Sequence, residues 1–313
     1  MDIFSVSYSK LKTFNECKIK YTFTYIYKLP VINISFSTLA GTLVHKFSEL
    51  YLKGYDYKTI YSIYSNKDTF YDVVFNDLAE RLRLDNDESY KERYINKLKE
   101  VNKDFIPLYT ALKHFKNLIH TLNYIKKNYE KVEVEILKEL TIENIKFYGI
   151  LDINAEKNSN SIHILDIKTG KEKNYSKSQL LFYSVITGIE EKEISVGFIN
   201  PKTNQKVLGK VDKEIIKKFK DKMLNYSIQA KEITKKIKEN IPIIAPEEVK
   251  KFAVEIENNI LSDENIQTIK EAITYINNND FSKEDKKEYC NFCPYKNICK
   301  TLGVIWIVLK HQK

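Results

Sequence analysis

Two alternating stretches in the middle of the chain predict neighbouring β-strands. Apolar and polar residues alternate over 145–155, and the same pattern returns over 161–168 after an Asn/Ser-rich turn. Further strand-like segments lie at about 131–143, 194–199 and 205–211. The sequence therefore predicts a block of strands between about residues 131 and 211.

Helical periodicity surrounds this block. The opening segment, about 7–21, predicts one helix, and a second is predicted over 41–51. The region 57–130 is helical and strongly charged, a helix is embedded in the strand block at 176–188, and 212–280 is helical between its prolines. The order of helices, strands with one embedded helix, and helices again predicts an α/β or α+β core with helical additions.

Composition indicates a globular protein with a polyanionic partner. The chain has 313 residues, 43% of them hydrophobic and 30% charged, and no apolar run long enough to span a membrane. Its first residues lack the apolar core of a signal peptide, which predicts a cytoplasmic protein that does not engage membranes. The net charge of +9 comes almost entirely from lysine, since the chain has only three arginines. Lysines that contact phosphates are therefore expected, rather than arginines that read bases.

Paired carboxylates and a lysine lie on the first two predicted strands. Asp152 lies on one strand, and Asp166 and Lys168 lie two residues apart on the next. Side chains two apart share a face, so a hairpin would bring both aspartates and the lysine together. Two oxygen ligands beside an ammonium suit a divalent metal and a phosphate. The same Asp-x-Lys pattern also occurs in ordinary solvated ion pairs.

The cysteines form a second candidate site. Cys17 stands alone, whereas Cys290, Cys293 and Cys299 follow a C-x2-C-x5-C pattern. Clustered cysteines in a cytosolic chain favour metal binding over disulfides. Their spacing fits either structural zinc or an iron–sulfur cluster.

The ordered motifs resemble the RecB-like branch of the PD-(D/E)XK nuclease superfamily. The similarity is to members with an iron–sulfur cluster, such as the AddB nuclease domain and the CRISPR-associated RecB-like exonucleases. Lys18 departs from the family pattern, which usually has proline there. The matching segments are Ser7-x-Ser9-x-Leu11 with Phe14, Cys17 and Tyr21; Gly41-x3-His45; Gly149-x2-Asp152; Asp166-x-Lys168-Thr169-Gly170; Gln179-x3-Tyr183; and Cys290-x2-Cys293-x5-Cys299.

The resemblance implies a catalytic metal site. Asp152 and Asp166, with the Ile167 carbonyl and a neutral His45, would hold Mg²⁺ or Mn²⁺, and the histidine favours manganese. Lys168 would orient the attacking water and offset developing negative charge.

The remaining implied roles are supporting ones. Gln179 and Tyr183 would position a substrate phosphate or support Lys168. Glu133 and Glu135, on the preceding strand, are candidates for groups that hold the metal ligands in place. The four cysteines would bind a structural [4Fe-4S] cluster.

The resemblance also implies a fold and a domain arrangement. We expect a restriction-endonuclease-like α/β core, in which helices flank a mixed central sheet, forming a single nuclease domain over 1–313. Within it we expect a helical insertion at 57–130, a catalytic strand core at 131–211, and a C-terminal iron–sulfur lobe at 285–303 that closes on 7–30.

Three functions remain as hypotheses. The first is a metal-dependent deoxyribonuclease, an exonuclease on single strands or DNA ends, in repair, recombination or CRISPR adaptation. The second is a non-catalytic iron–sulfur DNA-binding subunit of a helicase or integrase complex. The third is an iron–sulfur protein with a redox or assembly role, which would leave the nuclease-like motifs unexplained.

Overall fold

The computed structural model describes residues 3–29, 34–66, 70–76, 88–170, 176–188, 192–203, 205–242, 244–258, 260–279, 290 and 293–301. The chain divides into a first unit, residues 1–33, 141–147 and 221–313, and a second unit, residues 34–140 and 148–220. Among the described helices, none combines the length and apolar character needed to cross a membrane.

Most of a mixed β-sheet lies in the second unit, although residues 141, 142 and 145–147 of its strands belong to the first. Its strands are β2 (Lys131–Ile142), β3 (Ile145–Asn158), β4 (Ser161–Ile167), β5 (Glu193–Asn200) and β6 (Gln205–Lys210). β2 and β4 both pair with β3; β3 with β4 is antiparallel, β4 with β5 parallel, and β5 with β6 antiparallel. The strand block and the predicted hairpin of 145–155 with 161–168 are thus confirmed.

Strand β4 is almost entirely buried, although an alternating sequence such as that of 161–168 is typical of a half-buried strand. All residues from Ile162 to Ile167 are buried, the polar His163 and Asp166 included. β4 lies between β3 and β5 in the sheet, and the helix α7 (Lys177–Ile186) packs against β4 and β5. A central strand covered on both faces buries polar and apolar positions alike.

Helices complete the second unit. Helix α3 (Phe36–Leu52) packs against α6 (Ile106–Asn128), where Phe47 and Phe115 meet edge to face with ring centroids 5.7 Å apart. Helix α3 is longer than the predicted 41–51 because a capping box of Ser35 and Thr38 starts it earlier. The other helices of this region are α4 (Tyr57–Ser65) and α5 (Glu88–Val101).

The opening segment of the first unit is not the single helix that was predicted. Strand β1 (Phe4–Val6) pairs in parallel with residues 145–147, and α1 (Tyr8–Glu16) follows the N-cap Ser7. Cys17 then takes an extended conformation, and its sulfur accepts a hydrogen bond from the backbone N–H of Lys20. The cysteine thus ends one helix and caps α2 (Lys18–Tyr21), which continues into a π-helical turn (Thr22–Ile26).

The predicted helices of 212–280 are present. They are α8 (Lys213–Asn240), α9 (Pro246–Asn258) and α10 (Asp263–Asn278), followed by α11 (Lys296–Thr301). The first unit has its own core, to which α2, the π-helical turn and α8 to α11 contribute.

The architecture is therefore an α/β fold with a mixed central sheet flanked by helices, as expected. The finer boundaries at 57–130, 131–211 and 285–303 stay predictions. Of the last segment, residues 285–289, 291, 292, 302 and 303 lie outside the described residues.

Candidate functional site

The register of β3 and β4 brings the two aspartates together. Ile153 pairs with Leu165, so the antiparallel register places Asp152 opposite Asp166 on the neighbouring strand. The carboxylate of Asp152 accepts the backbone N–H of Ile167 at 2.7 Å. Its side chain thus continues the pairing of the two strands beyond the last paired residues, and that bond fixes the carboxylate. Whether the Ile167 carbonyl binds metal stays a prediction.

A histidine from helix α3 completes one side of the site. His45 Nδ1 lies 3.3 Å from Asp152 Oδ2 and 3.9 Å from Glu135 Oε1. Gly41, one turn earlier, permits this approach: a Cβ built there would lie 2.8 Å from Thr169 Oγ1, just beyond β4. The predicted Gly41-x3-His45 motif thus has a steric reason for its glycine.

The sequence analysis gave Glu135 only a supporting role, whereas the structure places it among the side chains that could hold the metal. Among the described residues, the group of acidic and histidine side chains close enough to share an ion is His45, Glu135 and Asp152, whose ligand atoms all lie within 4.8 Å of one another. Glu135 has φ +48 inside β2, a left-handed conformation that a glutamate adopts rarely. Such irregular backbone in a strand redirects a side chain and clusters at functional sites.

Glu133 lies only two residues away but has different partners. Its carboxylate accepts hydrogen bonds from Asn154 at 2.8 Å and Lys138 at 3.1 Å, and it pairs with Lys131. Burial opposes ionisation, yet these three donors together lower the pKa of Glu133 to about 2. Glu133 therefore belongs to a polar network on the sheet, whereas Glu135 belongs to the metal-ligand group.

Three neighbouring residues position Lys168. Its backbone N–H donates to the Ile199 carbonyl at 3.0 Å, which extends the β4–β5 pairing by one residue. The Lys168 ammonium lies 2.8 Å from Asp166 Oδ2 and donates to Gln179 Oε1 at 3.1 Å. Asp166 and Lys168 thus project together, as their spacing predicts.

Helix α7 holds this pair from one side. Gln179 Nε2 donates to Asp166 Oδ1 at 3.3 Å and to the Tyr183 hydroxyl at 2.8 Å. The i, i+4 spacing of Gln179 and Tyr183 lets one amide connect the acid, the lysine and the tyrosine. Tyr183 is buried, so its ring fixes the amide in place.

The close approach of these charged and buried groups shifts the pKa values of His45, Asp152 and Asp166. Burial lowers the pKa of His45, but the Asp152 and Glu135 carboxylates outweigh it and raise that pKa to about 9. Burial and the nearby charge of Asp152 raise the pKa of Asp166, against the opposing effect of Lys168. His45, the Ile167 N–H and Lys168 overcome burial and lower the pKa of Asp152. Protons therefore occupy the site when no metal does, and a bound cation must displace them.

The donor set fits a divalent metal. One imidazole and two carboxylates are ligands for manganese, and carboxylates alone suit magnesium. The buried Asp166 Oδ2 contacts the Lys168 ammonium at 2.8 Å, and a carboxylate oxygen has a second lone pair that it can offer to a ligand. Asp166 lies outside the close group of three, and its predicted ligand role stays a prediction.

His163 is on the same strand as Asp166 but has a separate environment. Its Nδ1 lies 2.5 Å from the Tyr129 hydroxyl, and the two rings meet edge to face. His163 therefore contacts Tyr129 and is not part of the group formed by His45, Glu135 and Asp152.

The cysteines all lie in the first unit. Cys17, Cys293 and Cys299 are partly buried against its core, and the backbone N–H of Cys293 donates to the Cys290 carbonyl. Burial is the main cause that raises the pKa of Cys293 and brings that of Cys299 to about 12, and neighbouring cysteines add to it. No three of these four described sulfurs converge within 4.8 Å of one another.

The geometry defines a class of protein: an α/β sheet with a group of side chains that could hold a divalent metal, and a positioned lysine, at the end of its central strands. The sequence profile of the PD-(D/E)XK nuclease superfamily matches residues 5–300. The chain therefore belongs to the PD-(D/E)XK nuclease superfamily, whose members are metal-dependent nucleases. No curated protein sequence matches significantly.

Two solved structures are similar to this chain at low scores. One is SSO0001, with a TM-score of 0.24, 15% identity, and coverage of 41% of this chain and 68% of that one. The other is a "Putative exonuclease" from Eubacterium rectale, with a TM-score of 0.35, 13% identity and 82% coverage of both chains.

Proposed function

We propose that this protein is a metal-dependent deoxyribonuclease of the RecB-like branch, acting on single strands or DNA ends. The observation that carries the proposal is that His45, Glu135 and Asp152 form a close group while Asp166 and Lys168 project from the adjacent strand. A site that only bound DNA would have no use for buried carboxylates, which repel phosphate.

The residues suit hydrolysis of a phosphodiester. When bound, a divalent ion supplies charge neutralisation at the phosphoryl oxygens and acidifies water. His45, Glu135 and Asp152 would hold that ion, with Asp166 beside them. Lys168 would orient the attacking water and offset charge in the transition state.

Gln179 and Tyr183 hold the Lys168 ammonium in position. Gln179 accepts a hydrogen bond from that ammonium, and Tyr183 fixes Gln179 from the far side. A lysine that already has its position loses little conformational freedom as the reaction proceeds.

The charge of the chain supports DNA as the substrate. A net charge of +9 that comes mainly from lysine favours contact with phosphates irrespective of base sequence. A role in repair, recombination or CRISPR adaptation, beside a helicase or integrase partner, fits such an enzyme.

We further propose that the first unit binds a [4Fe-4S] cluster through Cys17, Cys290, Cys293 and Cys299. The four sulfurs offer a complete thiolate set, and three of them border one hydrophobic core. Burial keeps the Cys299 thiol protonated, so ligation must supply the free energy of its deprotonation. The cluster would join two segments of the chain about 270 residues apart and stabilise the first unit.

Cleavage of end-labelled DNA tests the catalytic proposal. Purified protein is incubated with single- and double-stranded substrates in Mn²⁺, in Mg²⁺ and in chelator. We expect metal-dependent cleavage, and a loss of about 100-fold or more in Lys168→Ala, the range seen when a charge-stabilising group is removed. The matched control is Lys210→Ala on β6 of the same sheet, whose side chain is 65% exposed and pairs with Glu193.

Two results would contradict the proposal. DNA binding without cleavage in either metal would indicate a non-catalytic subunit. Equal cleavage by Lys168→Ala and Lys210→Ala would remove the lysine from the chemistry.

A further inference from the structure

An exposed apolar pair lies on the two strands that carry acidic residues of the metal-ligand group. Ile150 is on β3, two residues before Asp152, and Leu137 is on β2, two residues after Glu135. Ile150 is 42% exposed and Leu137 is 45% exposed. Single apolar residues scattered over a surface need no explanation, but a pair beside a proposed active site is a candidate contact for the substrate.

The hairpin turn between the strands places the two side chains opposite each other. Glu143 and Asn144 form a two-residue turn in which both have positive φ, +49 and +59. A turn of this type pairs the residues on either side of it, and five positions further along each strand Leu137 lies opposite Ile150. The left-handed Glu135 lies beyond this pair, so it does not shift the register between the turn and Leu137. Opposite side chains share a face of the sheet, with Cβ atoms about 4.5–5.5 Å apart.

This apolar pair faces the same side of the sheet as Asp152. Along β3, Leu151 and Ile153 are buried, whereas Ile150 is exposed and Asp152 is half-buried. The alternation indicates a regular strand, in which side chains two apart share one face. Two residues of a strand rise about 7 Å, a distance that one nucleotide spans. A nucleotide with its phosphate at the metal-ligand group therefore brings its base within reach of Leu137 and Ile150.

The size and charge of this surface favour a nucleobase over other occupants. Two partly exposed side chains offer far less than the about 800 Å² per partner that a stable protein interface buries. On the side away from the metal ligands, the exposed carboxylate of Glu139 follows on β2 and would repel a phosphate. A nucleobase, in contrast, has an uncharged flat face that packs on apolar side chains.

We propose that Leu137 and Ile150 form a platform for one base of a single strand, next to the phosphate at the metal site. Every base has such a face, so the contact is independent of base sequence. In a duplex the neighbouring bases cover both faces, and only an unstacked base reaches the platform. The platform therefore selects single strands and unpaired ends. The inference deepens the proposed nuclease function and rests on it, because it takes the cleaved DNA as the ligand.

Steady-state cleavage of matched single-stranded and duplex substrates tests the inference. The variants Leu137→Thr and Ile150→Thr, alone and combined, replace apolar atoms with a β-branched side chain that strands accommodate, so the fold is kept. The control, Ile215→Thr, makes the same change at an isoleucine that is 51% exposed on α8. Thermal midpoints and Mn²⁺ affinities of all variants check that the fold and the metal site are intact.

Loss of the platform should weaken the binding of one form of DNA. Removal of an aromatic platform weakens binding at least about five-fold per base, and we expect a loss near that lower limit because these side chains are aliphatic. The double variant should therefore raise KM for the single strand about five-fold, and each single variant should give part of that change. We expect kcat, metal affinity and duplex cleavage to stay close to wild type.

A substrate with one missing base gives a second test that needs no change in the protein. A single abasic site is moved along the labelled strand, one position at a time. The wild type should lose about five-fold in kcat/KM when the abasic site falls at one position relative to the cleaved bond. The double variant should show no such position, because it has already lost the contact.

Three results would overturn the inference. If the wild type cleaves DNA but the double variant cleaves single strands like Ile215→Thr, or loses equally on single strands and duplex, the pair is not a base platform and the nuclease proposal stands. A change of oligomeric state without a change in KM would identify the pair as a contact between copies of the chain. If the wild type cleaves no DNA in either metal, both proposals fail.

Discussion

Substitution of Gly149 tests whether Tyr183 and Gln179 position Lys168. A Cβ built at Gly149 would lie 3.0 Å from both Tyr183 Cε1 and Ile186 Cδ1, whereas ordinary contacts are 3.4–4 Å. Gly149→Ala must therefore push the Tyr183 ring by a few tenths of an ångström, in a buried position with little room. The ring carries the hydroxyl that holds Gln179, so the displacement should reach the lysine.

The expected losses of stability and of kcat in Gly149→Ala follow from the overfilled core and the displaced side chain. Overfilling a core costs about 1–3 kcal/mol, which lowers the thermal midpoint by roughly 2–4 °C per kcal/mol for a unit of this size. A misplacement of about 1 Å in an active site can reduce the rate about 100-fold, so a shift of a few tenths of an ångström should cost less. We expect Gly149→Ala to remain folded and to lose about 3- to 10-fold in kcat at saturating Mn²⁺, with metal affinity nearly unchanged.

The same glycine-to-alanine change has a matched control in the same sheet. Gly209, on β6, has no atom within 4 Å of its built Cβ, so Gly209→Ala should leave kcat and the thermal midpoint near wild type. Tyr183→Phe should reproduce part of the rate loss, because it removes the hydroxyl without overfilling. A Gly149→Ala variant that loses stability as expected but keeps the wild-type kcat would show that Tyr183 and Gln179 do not position Lys168 for the reaction.

Two further predictions concern protonation and the cysteines. The pKa of His45 is raised to about 9 from its ordinary 6.5, so its contribution to stability is full below pH 6.5 and is lost as pH rises through 9. Urea unfolding in chelator between pH 7 and 9.5 should show about 2 kcal/mol more loss for wild type than for His45→Gln; equal pH profiles would contradict the charge assignment. Protein purified without oxygen should be brown, with stoichiometric iron and sulfide, and Cys299→Ser should be colourless and less stable. Colourless wild type with stoichiometric zinc would instead identify a zinc site.

Much of the site geometry was predictable from local sequence. Alternation over 145–155 and 161–168 predicted the hairpin, and the spacing of Asp166 and Lys168 predicted that their side chains share a face, where they lie 2.8 Å apart. The i, i+4 spacing of Gln179 and Tyr183 likewise placed both side chains on one helix face, where they hydrogen-bond. These relations depend on short-range backbone periodicity, which the sequence shows directly.

Other features depend on contacts that local patterns do not encode. The alternation K-V-E-V-E-I treats Glu133 and Glu135 alike, and no glycine marks the left-handed backbone that distinguishes Glu135. The break at Cys17 was missed because its sulfur caps a second helix, a role usually taken by oxygen side chains. The burial of both faces of β4 required knowing which elements cover it.

The most direct test compares two glutamates on one strand. Mn²⁺-dependent cleavage of labelled single-stranded DNA is measured for Glu135→Gln and Glu133→Gln, with metal affinity from calorimetric titration. Both changes remove one carboxylate from β2, but only Glu135 is in the group with His45 and Asp152.

We expect Glu135→Gln to weaken Mn²⁺ binding by about 10-fold or more, the effect of losing a group that supports a metal site, and to reduce cleavage accordingly. We expect Glu133→Gln, which disturbs only the hydrogen bonds with lysine and asparagine, to keep metal affinity and cleavage near wild type. Equal effects of the two substitutions, or full activity of Glu135→Gln, would contradict the assignment of this site as the metal centre of a nuclease.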